Sequence, residues 1–223
     1  MIPFPAVVFA ARQTPGGDFK ERLPEASGKK PGSPAPSSHH HVQACPEGQG
    51  REGTAKPIPM INENFKIETD QLALRFTEGR QKQFLVRHEP HRVDIVYPPQ
   101  TPFDTLQPWL FKVITEALRK QAKAILPARL HELAGRHGFS YSRVGVNAAR
   151  TRWGSCSSRG HINLSLYLMI LPRELSDYVL LHELCHTREM NHGPRFWALM
   201  DQVTGRQAQR LRNALRHYPS PFR

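Results

Sequence analysis

Short apolar runs separated by polar turns mark the chain between residues 72 and 97. The runs are rich in β-branched and aromatic side chains, and EGR and HEPH separate them: LALRF (72–76), QFLVR (83–87) and RVDIVY (92–97). Runs of this length and composition between turn residues are typical of strands. The pattern predicts three strands joined as a small antiparallel meander.

A helical periodicity follows these runs. From Pro108 to Arg136 apolar residues recur at spacings of three and four, and Gly138 stands just beyond the last of them. This spacing places the apolar side chains on one face of a helix, and glycine readily ends a helix. The sequence therefore predicts one long helix with a buried face.

The last third of the chain combines two more strand-like runs with three helices. YSRVGVNA (141–148) and HINLSLYL (161–168) are expected to pair as a long hairpin across the turn-rich link RTRWGSCSSRG. Pro172 can open a helix through YVLLHELCH, Pro194 another that Gly205 ends, and QAQRLRNALR forms a last, basic helix. The order βββαββααα predicts an α+β domain with a small, mostly antiparallel sheet.

Composition divides the chain near Met60. Residues 1–60 hold 10 of the 20 prolines and 7 of the 15 glycines. Such a segment buries too little apolar surface to offset the conformational entropy that folding costs. The sequence predicts a disordered Pro/Gly-rich tail over residues 1–60 and a folded domain over residues 61–223.

The basic character of the chain belongs to the predicted domain. Of the formal net charge of +12, residues 61–223 carry +10, from 24 basic and 14 acidic residues. This balance favours anionic partners, so we expect a weak contact with nucleic acid or a nucleotide through the basic surface. The last predicted helix offers four arginines for it, and a solvated basic face is the ordinary alternative: Arg206, Arg210, Arg212 and Arg216.

Membrane and secretory classes find no support in the sequence. No stretch approaches the roughly 18 consecutive apolar residues that a membrane-spanning helix needs. The apolar start MIPFPAVVFAARQ contains two prolines and lacks the positive n-region of a signal peptide. Three cysteines, an odd number, are too few for a disulfide scaffold: Cys45, Cys156 and Cys185. We therefore expect a cytoplasmic protein with no membrane partner.

The segment His182-Glu183-Leu184-Cys185-His186 is an H-E-x-x-H motif inside a predicted helix. Positions i and i+4 share a helix face, so both imidazoles can converge on one metal ion at about 2.0–2.1 Å. Glu183 lies about 100° around the helix from His182 and can reach a water on the metal without ligating it. This is the arrangement of a zinc hydrolase, in which the metal acidifies water and the carboxylate removes its proton.

A third histidine, His192, follows His186 by six residues. A straight helix would place it about 240° around from His186, on a different face. Asn191 tolerates a left-handed conformation, and Gly193-Pro194 can end one helix and begin the next, so a bend is available. The sequence predicts that the three histidines bind one zinc ion.

Two segments carry a resemblance to a known family. RTRWGSC (150–156) and INLSLYLMILPRELSDYVLLHELCHTREMNHGPRFW (162–197) closely resemble the YgjP-like metallopeptidase domain, a zincin family related to the Wss1-like and SprT-like proteases. The likeness runs from about Phe65 to the C-terminus. It implies a zincin fold and a peptidase acting on a protein or peptide substrate. It also implies that Glu183 is the general base and that three histidines are the zinc ligands: His182, His186 and His192.

The resemblance also suggests how a substrate lies. The histidine spacing is similar to that of metzincins, but Glu189 stands where they have glycine, which argues against a metzincin proper. In zincins an extended peptide pairs with the edge strand above the active-site helix. HINLSL precedes that helix, which makes Ile162 and Leu164 candidate substrate-binding residues, and a core strand is the alternative. Arg150 and Arg152 could hold an anionic transition state or a phosphate, or line a solvated face.

Two other functions are compatible with these residues. A zinc-dependent hydrolase of nucleotide phosphoanhydrides would use the same activated water, with arginines holding the phosphates. A nucleic-acid-associated protein with a structural zinc would need a closed fourth ligand. Any of three carboxylates could orient a ligand histidine: Asp177, Glu189 or Asp201.

Overall fold

The computed structural model describes residues 7–10, 60–218 and 222, and over these it contains eight strands and four α-helices. The strands are β1 (Val7–Ala10), β2 (Lys66–Glu68), β3 (Ala73–Glu78), β4 (Phe84–Glu89), β5 (Arg92–Tyr97), β6 (Arg143–Asn147), β7 (Gly154–Cys156) and β8 (His161–Ser165). The helices are α1 (Gln107–His137), α2 (Arg173–Cys185), α3 (Pro194–Val203) and α4 (Ala208–His217). This content confirms the predicted α+β class. In the described part of the chain, no helix is both long and apolar enough to cross a bilayer.

The first sheet has the strand order β1-β4-β5-β3-β2. β4 and β5 form an antiparallel hairpin, with Val86 opposite Ile95. β3 instead pairs in parallel with the other edge of β5, with Phe76 opposite Ile95, so the predicted meander is wrong for β3. The apolar pattern decides which face of β3 is buried and leaves open which strand it pairs with.

Within the predicted tail, the structure describes only strand β1 and Met60. This strand pairs in parallel with β4, with Val8 opposite Leu85. The remainder of residues 1–60 lies outside the described residues, and so does the prediction of disorder made for it.

The second sheet has the order β6-β8-β7. β6 and β8 are parallel, with Val144 opposite Ile162, and β7 pairs antiparallel with the other edge of β8, with Ser155 opposite Asn163. The predicted hairpin is therefore wrong, because the link between β6 and β8 contains a strand of its own. Residues 166–170, expected as strand, form a 3₁₀ helix. Both sheets are mixed rather than mostly antiparallel.

Helix α1 joins the two halves of the hydrophobic core. It continues through Pro127 and ends at Gly138, whose left-handed φ of 67° is easy for glycine. On one side, Gln121 Nε2 donates a hydrogen bond to the Glu89 carbonyl at 2.9 Å and so fixes α1 against the first sheet. On the other side, Arg129 donates two hydrogen bonds to the carboxylate of Asp177 in α2, at 2.8 and 2.5 Å.

The corner between α2 and α3 holds the residues with the most distinctive chemistry. α2 follows Pro172, and its buried face ends with Leu184 and Cys185, both fully buried. The chain then turns over residues 186–193 before Pro194 opens α3 at its first position. The helices predicted here from proline and glycine positions are confirmed, including the bend before Pro194.

Candidate metal centre

His182 and His186 lie on the last turn of α2. The His186 amide donates to the His182 carbonyl at 3.2 Å, so the backbone is still helical at the second histidine. Their Nε2 atoms are 3.2 Å apart. This is the convergence that the spacing of four residues predicts.

His192 returns to the same place from the far side of the turn. Its Nε2 atom is 3.0 Å from that of His182, and the candidate ligand atoms of the three histidines all lie within 4.8 Å of one another. A tetrahedral zinc ion with Zn–N bonds of about 2.0–2.1 Å needs ligand nitrogens about 3.3 Å apart. The three imidazoles therefore fit a zinc ion. Among the described residues, no cysteine, carboxylate or further histidine joins the cluster.

One apolar side chain of α3 supports all three histidines. Phe196 is fully buried, and its ring centroid lies 4.9, 4.7 and 4.7 Å from those of His182, His186 and His192. Trp197 beside it is stacked on His192 at 6.0 Å. Packing of these rings restricts the rotations of the imidazoles and holds them close together.

Burial sets the protonation state of the cluster. It lowers the pKa of each histidine, that of His182 to about 3. The positive charge of Arg212 adds to this effect at His182 and His192. The imidazoles are therefore neutral near pH 7, and neutral imidazole is the form that ligates metals.

The outer nitrogens of His182 and His186 have no carboxylate partner among the described residues. His186 Nδ1 lies 3.1 Å from the Glu189 carbonyl oxygen, to which it can donate. His182 Nδ1 is buried and has no hydrogen-bond partner among the described residues. Of the carboxylates predicted to orient a ligand, Asp177 binds Arg129 and Asp201 is exposed on α3. Glu189 contributes its main chain instead of its side chain.

Glu183 is buried against strand β7. Only 5% of its surface is exposed. A Cβ atom added to Gly154 would lie 2.6 Å from Glu183 Oε1 and 2.7 Å from its Cγ, so the strand backbone packs directly on the carboxyl group. Burial raises the pKa of Glu183 to about 8, and the positive charge of Arg152 acts in the opposite direction.

The other predicted site residues occupy different positions. Arg150 donates from Nε to the Phe222 carbonyl at 2.9 Å and lies over the Phe111 ring at 5.8 Å, so these contacts hold it against the C-terminal end and α1. Arg152 is exposed near Glu183. Ile162 and Leu164 are fully buried on β8, which pairs on both edges, so neither their side chains nor a free edge is accessible to a substrate.

Two residues near the centre were missed in the sequence. Gly154 belongs to a strand of three small residues, which the pattern of apolar runs does not reveal. Arg212 stacks over Trp197, with its Cζ atom 4.9 Å from the ring centroid, but the sequence shows it only as one of several arginines on α4. No local signal distinguishes Arg212, because α3 and α4 meet only in the folded chain.

Comparisons with known proteins identify the family of this chain. A family model described as YgjP-like, metallopeptidase domain, matches residues 49–218. Among solved structures, the metallopeptidase zymogen of Pyrococcus abyssi abylysin is similar over 42% of this chain and 95% of its own, with 22% identity and a TM-score of 0.37. No curated protein matches the chain significantly. Since the family model covers well over half of its residues, the chain belongs to the YgjP-like metallopeptidase domain family.

Proposed function

We propose that this protein is a zinc-dependent metallopeptidase that hydrolyses peptide bonds in protein or peptide substrates. The observation that carries the proposal is the convergence of three imidazole nitrogens at a spacing that fits zinc. No fourth ligand group joins them among the described residues, which leaves a coordination position for water and substrate. A purely structural zinc would need that position closed, so the arrangement supports a catalytic ion better.

The protein side of the mechanism rests on four residues. Zinc, when bound, supplies Lewis-acid activation of the attacking water and of the scissile carbonyl group. His182, His186 and His192 would hold the ion. A bound ion and Arg152, both positively charged, would offset the effect of burial and favour the ionised carboxylate of Glu183. In that form Glu183 accepts a proton from the attacking water and delivers it to the leaving nitrogen, as a general base and then a general acid. The contact with Gly154 keeps that carboxylate in one orientation.

Strand β7 is the best candidate for binding an extended substrate. It is the outer strand of its sheet, and one of its residues, Gly154, touches the proposed general base. An extended peptide can add to such an edge through main-chain hydrogen bonds. The role predicted for Ile162 and Leu164 therefore passes to Gly154–Cys156. Arg152 precedes β7 and lies near Glu183, where its guanidinium could contact the same peptide.

A substrate panel with metal removal tests the function. The zinc-loaded protein is incubated with casein, with a DNA-bound protein and with nucleoside triphosphates, before and after treatment with a chelator. We expect fragments of the protein substrates that disappear on chelation and return with one equivalent of zinc, and no release of phosphate. Phosphate release alone would instead identify a phosphoanhydride hydrolase. If one zinc is bound and no substrate is cleaved, the structural-zinc function replaces the peptidase.

Substituting Gly154 by alanine tests the contact that orients Glu183. The added methyl group would lie within 3 Å of three Glu183 side-chain atoms and must displace them. A displacement of this order is expected to lower kcat by about a hundredfold, with zinc still bound at one equivalent. Peptidase kinetics and metal analysis measure the two quantities separately.

Gly135→Ala provides the matched control. Gly135 is exposed in α1, and an added Cβ would meet no atom within 4 Å. The control should keep the native rate and gain about 0.5–1 kcal/mol in free energy of unfolding, since alanine favours a helix. A Gly154→Ala protein with native kcat would show that β7 does not position the general base.

A further inference from the structure

The first sheet carries an open groove on the face turned away from α1. Its inward residues, such as Phe84 and Val86, are buried, and Phe84 contacts Trp109 of α1 at 4.5 Å between ring centroids. The outward residues of neighbouring strands line a groove of about 350 Å³, called the arginine groove below. Its hydrogen-bond donors come from β3, β4, β5 and the turn after β3: Arg75, Thr77, Arg80, Gln81, Arg87 and Arg92.

The carboxylates of the arginine groove do not neutralise its guanidinium groups. Asp94 on β5 accepts hydrogen bonds from Arg75 at 2.7 Å and from Arg92 at 2.9 Å, so one carboxylate serves two arginines. Arg87 lies directly opposite Asp94 in the β4–β5 register. Arg80 and Arg87 form no ion pair with any described residue. Among the residues that line the groove, four positive charges therefore face two negative ones, those of Asp94 and Glu78. Glu89 lies opposite Arg92 in the β4–β5 register but does not line the groove.

Gln81 adds a donor that is already desolvated. Its Nε2 atom is buried and has no hydrogen-bond partner among the described residues. The amide is folded over Gly79, where an added Cβ would lie 2.1 Å from Gln81 Oε1 and 2.7 Å from Nε2. Burying an amide donor without a partner is unfavourable, so an acceptor supplied by a ligand would stabilise this turn.

From this arrangement we infer that the arginine groove is a binding site for a phosphate group. A phosphate carries about −1.5 to −2 charges at neutral pH, which matches the surplus of two positive charges. Its oxygens can accept hydrogen bonds from the paired donors of guanidinium groups and from the Nε2 amide group of Gln81. Free polyphosphates and nucleic-acid backbones both present such oxygens, although a backbone phosphodiester carries only one negative charge. The site lies on other elements than the histidines, so it does not depend on the proposed peptidase function.

Two variants and one matched control test the site by calorimetric titration of the zinc-loaded protein with pyrophosphate. Arg87→Glu reverses one unpaired charge, and Gln81→Glu keeps the shape of the side chain but replaces the buried donor by an acceptor. Each is expected to weaken pyrophosphate binding by at least about tenfold. Arg143→Glu makes the same charge change at an exposed position on β6, in the other sheet, and should leave the affinity within about twofold of native.

A second titration, with a short single-stranded oligonucleotide, identifies the source of the phosphate. Weaker oligonucleotide binding in the same two variants would identify a nucleic-acid backbone, and pyrophosphate binding alone would identify a free phosphorylated ligand. Pyrophosphate affinity that survives in Arg87→Glu and Gln81→Glu would place the anion elsewhere, the metal centre included, and overturn the proposal. So would equal weakening in Arg143→Glu, which would indicate only a response to net charge.

Discussion

Glu183→Gln is expected to slow peptide hydrolysis by about a hundred- to ten-thousandfold while the protein keeps one bound zinc ion. The substitution removes the proton-accepting oxygen and nearly preserves the side-chain volume. Glutamine therefore fits the same space against Gly154 and leaves the fold unchanged. The three imidazoles that would hold the ion are untouched. A large fall in kcat at constant zinc content separates proton transfer from metal binding.

The measurement is casein or fluorogenic-peptide hydrolysis together with metal analysis of the same preparation. Glu174→Gln is the matched control, because Glu174 lies on the first turn of α2, is exposed and contacts Arg210 rather than the histidines. The control should retain the native rate. Full activity in Glu183→Gln would contradict the mechanism proposed above.

His192→Ala is expected to weaken zinc binding by more than about a hundredfold. Removing a residue that only hydrogen-bonds to a ligand lowers metal affinity by about ten- to a hundredfold, and loss of a ligand should exceed this. The substitution removes one of three nitrogens that lie at zinc-ligand spacing. The two remaining histidines of α2 can still contact the ion, but they leave it with two protein ligands. Because binding to the native state stabilises a protein, the zinc-dependent increase in Tm should also become smaller at the same zinc concentration.

Competition with a zinc-sensitive dye measures the affinity, and thermal unfolding with and without zinc measures the linked stability. His131→Ala, on the exposed side of α1, is the matched control and should match the native protein in both. Zinc affinity unchanged by His192→Ala would remove His192 from the centre.

The parts of the structure that depend on local geometry could be predicted. The long helix α1 follows from apolar residues at spacings of three and four, and its end follows from Gly138. The meeting of His182 and His186 follows from one turn of helix. The position of His192 beside them could be predicted because Gly193 and Pro194 allow a bend in the chain.

Strand pairing could not be predicted from the same pattern. Burial of Leu74 and Phe76 is satisfied whether β3 pairs with β4 or with β5, and the parallel pairing of β6 with β8 leaves no mark on either strand. The pairing of β6 with β8 also changes which strands can bind a substrate. Once β8 lies in the middle of its sheet, the two edges belong to β6 and β7, and it is β7 that contacts Glu183.

The hydrogen bond of His186 shows a different limit. Its acceptor is the main-chain oxygen of Glu189, which the tight turn after α2 brings within 3.1 Å of the ring. Residue types reveal carboxylates, but every residue has a carbonyl group, so such a partner cannot be read from side-chain identity. The predicted cytoplasmic location and the tail over residues 1–60 stay predictions.

The position of Phe196 links ion capture to the docking of α3. Its ring touches all three imidazoles, although it belongs to a helix that begins only after the third of them. Zinc binding to the imidazoles therefore also stabilises the docking of α3. Because this coupling is reciprocal, docking of α3 strengthens zinc binding by the same free energy. Metal supply would thus tune the local resistance of this corner to unfolding as well as its chemistry.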